Sequence, residues 1–197
     1  RRQRQMCIRD RINDIQNMLI ITGDPIPSMA RQTIKAVFHF DSVGLMNIIK
    51  EMNEETFAQH PLLYGGAINQ SRKNLDSILH RVKKKQEAGA SFFLSQPVFT
   101  KEDADRLRFI QSETGATILC GIMPLVSRKN ALFMKNEIAG INVSDTIIER
   151  YPEQATREEG EAVGIALAKE IIAMVDDFAD GYYFSFPFNR VYLLPKI

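Results

Sequence analysis

The sequence predicts an α/β fold in which a parallel sheet is buried on both faces. Five short apolar runs, rich in β-branched and aromatic residues, have the character of strands, and amphipathic segments separate them. The runs are nearly continuous rather than alternating, which is typical of strands covered on both sides. Strands are expected at residues 18–25, 62–69, 91–99, 116–124 and 181–189.

The segments between the runs have apolar residues at helical spacing. Residues 43–53 carry them on one stripe, and the helix predicted within 74–90 ends at Gly89. Thr156 and Glu159 have the spacing of a capping box. Helices are expected at 43–53, 74–90, 101–115 and 156–178.

Two architectures fit this alternation, the open doubly wound sheet and the closed (β/α)₈ barrel. Polar residues at the carboxyl ends of strands favour the barrel, since barrel enzymes assemble their sites there. They are Asp24, Asn69, Gln96 and Asn189. The glycine fingerprint of a dinucleotide-binding open sheet is absent. A barrel of eight strands needs about 250 residues, so five strands in 197 residues predict an incomplete one.

Composition and charge exclude several classes of function. With 45% hydrophobic and 25% charged residues the chain is expected to form one soluble domain. The net charge of +1 would not attract nucleic acid or an anionic membrane, and no apolar run approaches the about 20 residues of a membrane span. Cys7 and Cys120 fit a reducing compartment, so a cytoplasmic protein is expected. His39, His60 and His80 lack ligand spacing, and no metal is predicted.

Six segments carry motifs whose order and spacing are specific when taken together. They are NMLIITGDP, FDSVGLMNIIKEMN, GGAINQSRKNLDSILHRVKKKQEAGASFFLSQPVF, CGIMPLVSRKNALFMKNEIAGI, EEGEAVGIALAKEII and FPFNR. From residue 12 to the C-terminus the chain resembles the methylenetetrahydrofolate reductase family. The resemblance implies a TIM barrel that binds FAD, with TGDP at the end of the fourth strand. The five strands would then be strands four to eight with their helices.

The resemblance also implies an activity, the reduction of 5,10-methylenetetrahydrofolate to 5-methyltetrahydrofolate, with FAD as cofactor and NADH or NADPH as co-substrate. The proton donor of the family is a glutamate at the end of the first strand, which is expected to precede this chain. No catalytic acid is therefore assigned, and the chain alone is expected to be inactive. A homocysteine S-methyltransferase domain often precedes this form of the reductase; that fusion and a homo-oligomer both stay open.

The opening segment RRQRQMCIRDR carries five arginines and no apolar periodicity. Every residue of it can be encoded by a string that resembles a transposon-tagmentation sequencing adapter. Residues 1–11 are therefore predicted to be translated adapter, and residues 12–197 to be the C-terminal part of the reductase domain. A native basic arm is the alternative, and recovery of those codons from an assembled genome would establish it.

Cations on the second predicted helix are candidates for binding the FAD phosphates. Arg81, Lys84 and Lys85 stand at i, i+3 and i+4 and are predicted to share a face. Fixed cations bind phosphate strongly. Spacing alone favours a solvated basic helix, whereas the resemblance aligns these positions with FAD contacts of the family.

Four further positions align with the cofactor site of the family. Thr22 and Gly23 match positions that approach the flavin, and Asp41 and Ser42 lie near the adenosine-binding turn. Asp24 serves both cofactor and substrate in this alignment. Its carboxylate would accept hydrogen bonds from pterin N–H groups and would stabilise positive charge on an iminium form of the substrate. An ordinary turn aspartate before proline is the alternative.

Three side chains are candidates for binding the folate. Gln96 offers both a donor and an acceptor to the pterin edge, with a buried structural amide as the alternative. The resemblance aligns Asn130 and Arg190 with folate-binding positions. A guanidinium pairs bidentately with a carboxylate such as that of the folate tail, and a surface salt bridge is the alternative for Arg190. Met134 aligns where some relatives stack Phe on the substrate.

Two other functions stay open. A non-catalytic fragment would follow from five strands of eight, because they leave unpaired edges and an opened core. A pterin-binding methyltransferase barrel would handle folate without flavin. The basic positions Arg81, Lys84 and Lys85 argue against that barrel, since a pterin-only site needs no pyrophosphate clamp.

Overall fold

The computed structural model describes residues 2–23, 40–138 and 140–197. Within them, five strands form one sheet whose order is the order of the chain. The strands are β1 (Asn17–Ile20), β2 (Leu63–Ile68), β3 (Phe92–Pro97), β4 (Ile118–Ile122) and β5 (Gly181–Phe184). The helices are α1 (Arg2–Ile12), α2 (Ser42–Glu54), α3 (Leu75–Glu87), α4 (Lys101–Thr114), α5 (Arg128–Glu137), α6 (Asp145–Glu149) and α7 (Arg157–Val175), with 3₁₀ helices at Pro187–Asn189 and Val191–Lys196.

The strand pairing confirms the predicted α/β fold with a parallel sheet. β1 pairs with β2, and β4 pairs with β3 and β5, in each case in parallel. Strands that follow one another in chain order form the wall of a (β/α)₈ barrel, whereas an open doubly wound sheet reverses its order at a switch point. The five strands therefore fit part of a barrel. Their numbering as strands four to eight stays a prediction.

The chain divides into two compact units. The first comprises Arg1–Ala67 and His80–Phe92, and the second comprises Ile68–Leu79 and Phe93–Ile197. In the first unit, α1 and β1 both contact α2, which buries Met46, Ile49 and Met52. In the second unit, α7 contacts α4 and β4. The largest fully buried apolar side chains of this unit include Tyr151, Phe93, Leu107, Ile110, Ile118, Ile122, Leu125 and Ile171.

The helix ends follow the signals in the sequence. Thr100 caps α4 by accepting a hydrogen bond from the Asp103 N–H, and Gly115 ends this helix with φ of +61°. Glycine adopts that left-handed conformation without a steric penalty. The capping box predicted from Thr156 and Glu159 is present at the start of α7.

Burial on both faces, predicted for every strand, is wrong for β1 and β5 and for Leu63 at the start of β2, which is 47% exposed. Leu19 of β1 is 44% exposed, and no residue of β5 is fully buried. In the sheet formed by the described residues, β1 and β5 each have a neighbour on one side only. β5 also ends at Phe184 instead of residue 189, because Pro187 lacks an N–H for the ladder and begins a 3₁₀ helix.

Helix α1 was not predicted, and neither were α5 and α6. The opening residues lack an apolar period, but Arg, Gln and Met are good helix formers. Cys7 is fully buried, and Arg4 forms an ion pair with Glu55 at 3.2 Å. Helix propensity and one buried side chain therefore stabilise this helix, although its apolar residues show no helical period. The origin of residues 1–11 stays a prediction.

Two glycines let α7 lie directly against the chain that follows β4. A Cβ atom on Gly160 would stand 2.3 Å from the carbonyl oxygen of Val126, and one on Gly164 would stand 2.0 Å from that of Leu125. Both distances are far below a van der Waals contact, and the obstructing atoms belong to the backbone. Only glycine therefore permits this packing.

Gly164→Ala should destabilise the protein even though alanine is the better helix former. Overpacking of this kind costs about 1–3 kcal/mol, and the free energy of unfolding can be measured by urea denaturation followed by circular dichroism. Ala162→Gly is the control on an exposed position of the same helix. It should cost about 0.5–1 kcal/mol through helix propensity alone. A Gly164→Ala variant as stable as the parent would contradict the packing described.

Candidate functional site

The first unit brings four predicted cofactor residues together where β1 ends and α2 begins. Thr22 and Gly23 follow β1, and Gly23 has φ of +85°. The Thr22 hydroxyl oxygen accepts a hydrogen bond from the backbone N–H of Ser42 at 3.0 Å. Asp41 caps α2, because its Oδ1 accepts from an N–H of the first turn at 2.9 Å. Asp24 lies outside the described residues.

Among the described residues of this corner, the exposed side chains offer hydrogen-bond acceptors and no cation. Thr22, Gly23 and Asp41 are exposed, and Ser42 is buried. A helix N-terminus ordinarily attracts anions, but here the Asp41 carboxylate already occupies that position. The corner therefore suits a ligand that donates hydrogen bonds, such as a sugar hydroxyl, better than a phosphate.

The three predicted phosphate-binding cations of α3 differ in their surroundings. Arg81 and Lys84 are exposed. Lys85 is only 6% exposed, and its Nζ donates to the carbonyl oxygen of Ala67 in β2 at 2.6 Å. A buried ammonium group requires such partners. Spacing predicts one shared face, but Lys85 points towards the strand and helps to fix α3 against β2.

Gln96 stands at the carboxyl end of β3, as predicted. Its backbone N–H donates to Oε1 of Gln70, and its carbonyl oxygen accepts from Nε2 of Gln70, both at 3.1 Å. Its own side-chain amide has no hydrogen-bond partner among the residues that the structure describes. The buried structural amide is therefore Gln70, which is fully buried, and the amide of Gln96 is left for other contacts.

Asn130 lies in the first turn of α5, beyond the end of β4. Its Oδ1 accepts from the Val126 N–H at 3.2 Å, and its own N–H donates to the Ser127 hydroxyl at 3.1 Å. Met134, one turn further along, is buried. The Oδ1 atom of Asn130 thus stabilises the turn before α5. The Nδ2 atom of Asn130 has no partner within the described ranges.

Arg190 belongs to a cluster centred on Glu161. Its Nη1 lies 3.1 Å from Oε1 of Glu161, although the pair lacks the geometry of a hydrogen bond. Glu161 also accepts from Nε of Arg157 at 3.0 Å and from the Tyr192 hydroxyl. The Arg190 guanidinium lies over the ring of Phe188 at 5.8 Å. The side chains of Arg190 and Glu161 are 19% and 10% exposed, so this is a partly buried pair rather than a surface salt bridge.

The surroundings of Glu161 keep it ionised. The hydrogen bond from Tyr192 lowers the pKa of Glu161, and the hydrogen bond from Arg157 and the charge of Arg190 lower it further. The anchored carboxylate fixes Arg190. The guanidinium forms no well-aligned hydrogen bond within the described part of the chain, so it can still pair with the carboxylate of a ligand.

Gln70 and Glu161 belong to the candidate site, but the sequence pattern does not predict either of them. Gln70 is the second polar residue after β2, and the pattern offers no means of separating it from its neighbour Asn69. Glu161 carries a signal, because it stands on the buried stripe of α7. The other members of that stripe are Gly160, Gly164, Leu167, Ala168, Ile171 and Val175. A single carboxylate within an apolar stripe indicates a buried partner of opposite charge.

Two pockets lie away from these residues. One of about 270 Å³ is lined by residues that include Ser71, Asp103 and Arg106, and another of about 520 Å³ by residues that include Arg11 and His60. No group of three or more His, Cys, Asp and Glu residues in the described ranges could hold a metal ion. None of the helices that the structure describes is both long and apolar enough to span a membrane.

Glu161→Gln should lower the free energy of unfolding at pH 7 by about 1–2 kcal/mol, since hydrogen bonds to a charged acceptor are lost. The folded-state pKa of Glu161 is lowered, so its stabilisation is present above the ordinary value of about 4.3. It is lost as the pH falls through the folded-state pKa. Urea denaturation between pH 3 and 7 should show that the difference in free energy of unfolding between Glu161→Gln and the parent becomes smaller as the pH falls.

Glu158→Gln is the matched control, because Glu158 is exposed on the first turn of the same helix. It should change the free energy of unfolding by less than about 0.5 kcal/mol. Equal effects of the two substitutions would contradict the role given to Glu161.

Comparison with known protein families identifies the chain. A family model described as Methylenetetrahydrofolate reductase matches residues 6–181, from helix α1 to the start of β5. No curated protein matches the chain. Because the family match covers most of the 197 residues, the chain belongs to the methylenetetrahydrofolate reductase family.

Proposed function

We propose that the chain is part of a FAD-dependent reductase that converts 5,10-methylenetetrahydrofolate into 5-methyltetrahydrofolate, with NADH or NADPH as the co-substrate. Membership of the family supports folate reduction in general. The observation that carries the assignment to particular residues is the side-chain amide of Gln96, which has no partner among the described residues and stands on a fixed backbone at the carboxyl end of β3. Parallel barrels place their reacting groups at that edge.

The first unit offers groups that fit the polar parts of FAD. Arg81 and Lys84 are exposed cations on α3 and would pair with the pyrophosphate. Asp41, at the start of α2, offers a carboxylate to the ribose hydroxyls of the adenosine half. The backbone at Gly23 has φ of +85° and carries no side chain, which would allow the isoalloxazine ring to approach closely.

The second unit offers groups that fit a folate. Gln96 would donate to and accept from the pterin edge. Asn130 would add a donor through its Nδ2. Arg190, held by Glu161, would pair with a carboxylate of the glutamate tail. Met134 is buried on α5, so its side chain would line the apolar part of the site instead of stacking as an aromatic ring would.

Bound FAD would supply the chemistry by passing hydride between the nicotinamide and the folate. The residues of this chain would bind and orient the reactants. Gln96 would fix the plane of the pterin, and Arg190 would fix the opposite end of the folate. Asp24 is proposed to stabilise positive charge on the substrate. The proton donor is proposed to lie in a preceding part of the reductase domain, so the isolated chain would not complete the reaction.

A visible absorption spectrum tests this proposal. The protein to use is the longest product of the gene that carries residues 12–197, purified and mixed with FAD, then with NADH or NADPH, and then with 5,10-methylenetetrahydrofolate. A flavin spectrum that bleaches with the nucleotide and recovers with the folate is expected. A protein that FAD cannot turn yellow would contradict the proposal and would favour the pterin-binding methyltransferase.

Replacing the exposed cations should weaken FAD binding. Combining Arg81→Ala with Lys84→Ala should raise the dissociation constant for FAD about a hundredfold or more, because each charge-assisted contact is worth about 1.5–3 kcal/mol. Fluorescence quenching of FAD measures this constant. Lys83→Ala is the control, since Lys83 is exposed on the same helix outside the predicted cluster. Equal losses in the two variants would indicate a general effect of positive charge.

Gln96→Leu should weaken binding of 5-methyltetrahydrofolate about tenfold while leaving the thermal midpoint unchanged. The side chain of Gln96 forms no hydrogen bond within the described residues, so the fold does not depend on its amide. Isothermal titration calorimetry measures the affinity. Gln154→Leu, on an exposed position of the same unit, serves as the control. An unchanged affinity in Gln96→Leu would remove Gln96 from the site.

A further inference from the structure

The ladder between β3 and β4 is interrupted where Gln96 stands. Leu94 is paired with Leu119, and the next recorded pair is Pro97 with Gly121. Two residues of β3 therefore oppose a single residue of β4, which is the count of a β-bulge. Bulges bend a strand and change the direction of a side chain, and they occur frequently beside active sites.

Side chains bond to the polar backbone groups of the two residues in the bulge, Ser95 and Gln96. Gln70 bonds to both the N–H and the carbonyl oxygen of Gln96 at 3.1 Å. The Ser95 hydroxyl donates to the carbonyl oxygen of Gln96 at 2.7 Å and accepts from the Gly121 N–H at 2.9 Å. The Tyr183 hydroxyl donates to the carbonyl oxygen of Ser95 at 2.6 Å. Each polar backbone group of Ser95 and Gln96 that these contacts satisfy would otherwise incur a desolvation penalty.

Gln70 makes the most specific of these contacts. Its primary amide pairs with the N–H and the carbonyl oxygen of one residue, Gln96, in the way a neighbouring strand would. The side chain is fully buried, so it is withheld from solvent. The Gln96 side chain, in contrast, is half-buried and has no partner in the described part of the chain. One glutamine thus fixes the backbone from which the other projects.

We propose that Gln70 is a positioning residue for pterin recognition. It holds the bulge in β3 and so directs the Gln96 amide towards the pterin edge, without contacting the ligand itself. This inference rests on the proposed folate function and deepens it, because it assigns the discrimination of the pterin ring to a pair of glutamines instead of one. Binding of the glutamate tail should not depend on Gln70.

The test compares two folate probes on variants of the longest product of the gene that carries residues 12–197. Gln70→Met keeps the volume of the side chain and removes both hydrogen bonds, and Gln70→Glu keeps the acceptor for the Gln96 N–H. Gln111→Met is the control, because Gln111 also donates to a backbone carbonyl, that of Phe178, in the same unit. The probes are 5-methyltetrahydrofolate and p-aminobenzoylglutamate, which has the tail but no pterin.

Gln70→Met should raise the dissociation constant for 5-methyltetrahydrofolate about tenfold. The dissociation constant for p-aminobenzoylglutamate should stay within about twofold of its value in the unsubstituted protein. Amide hydrogen exchange at Gln96 should accelerate in the same variant. Gln70→Glu should recover part of the pterin affinity, and Gln111→Met should leave the ratio of the two constants unchanged. Calorimetry and exchange measured by NMR supply these values.

Equal weakening of both probes by Gln70→Met, or weakening of neither, would overturn the positioning role. So would faster exchange at Gln96 without any change in pterin affinity. If the unsubstituted longest gene product binds neither probe, the folate function itself fails, and that result is distinct because it appears before any substitution is made.

Discussion

The proposed folate site depends on one constraint: the backbone N–H and C=O groups at the carboxyl end of β3 must all be hydrogen-bonded. A bulge removes ladder bonds in a buried environment, and the lost bonds must be replaced because an unpaired peptide group there costs about 1–3 kcal/mol. Here Gln70, Ser95 and Tyr183 bond to the backbone groups of Ser95 and Gln96. Burial raises the pKa of Tyr183, and the nearby Cys120 raises it further, so the phenol stays a donor at neutral pH.

Polar side chains beyond the ends of β4 and β5 are used in a similar way. The side-chain Oδ1 of Asn130 holds the turn before α5, while its Nδ2 has no partner in the described part of the chain. Glu161 contacts Arg157, Arg190 and Tyr192. It holds Arg190 by charge, and the guanidinium donates no hydrogen bond to any of the described residues. In each case one polar group is used by the fold and another is left for a ligand, so stability and recognition are linked in the same side chains.

The sequence predicts the alternation of strands and helices because the spacing of apolar residues and the capping residues lie within each element or next to it in the chain. Thr156 with Glu159 and Gly115 show this at helix ends. It does not predict which of two adjacent polar residues is buried, since Gln70 becomes structural only through its contact with Gln96, 26 positions away. Lys85 shows the same limit: helical spacing groups it with Arg81, but its hydrogen bond to β2 depends on tertiary packing.

The most direct measurement of the central claim is the behaviour of the glutamine side-chain amides in the NMR spectrum of the chain on titration with 5-methyltetrahydrofolate. The NH₂ resonances of Gln96 should shift with the ligand, because that amide has no partner among the described residues. Those of Gln111, which is bonded to Phe178, should remain in place and serve as the internal reference. A spectrum in which the Gln96 amide does not respond would contradict the placement of the folate site at the end of β3.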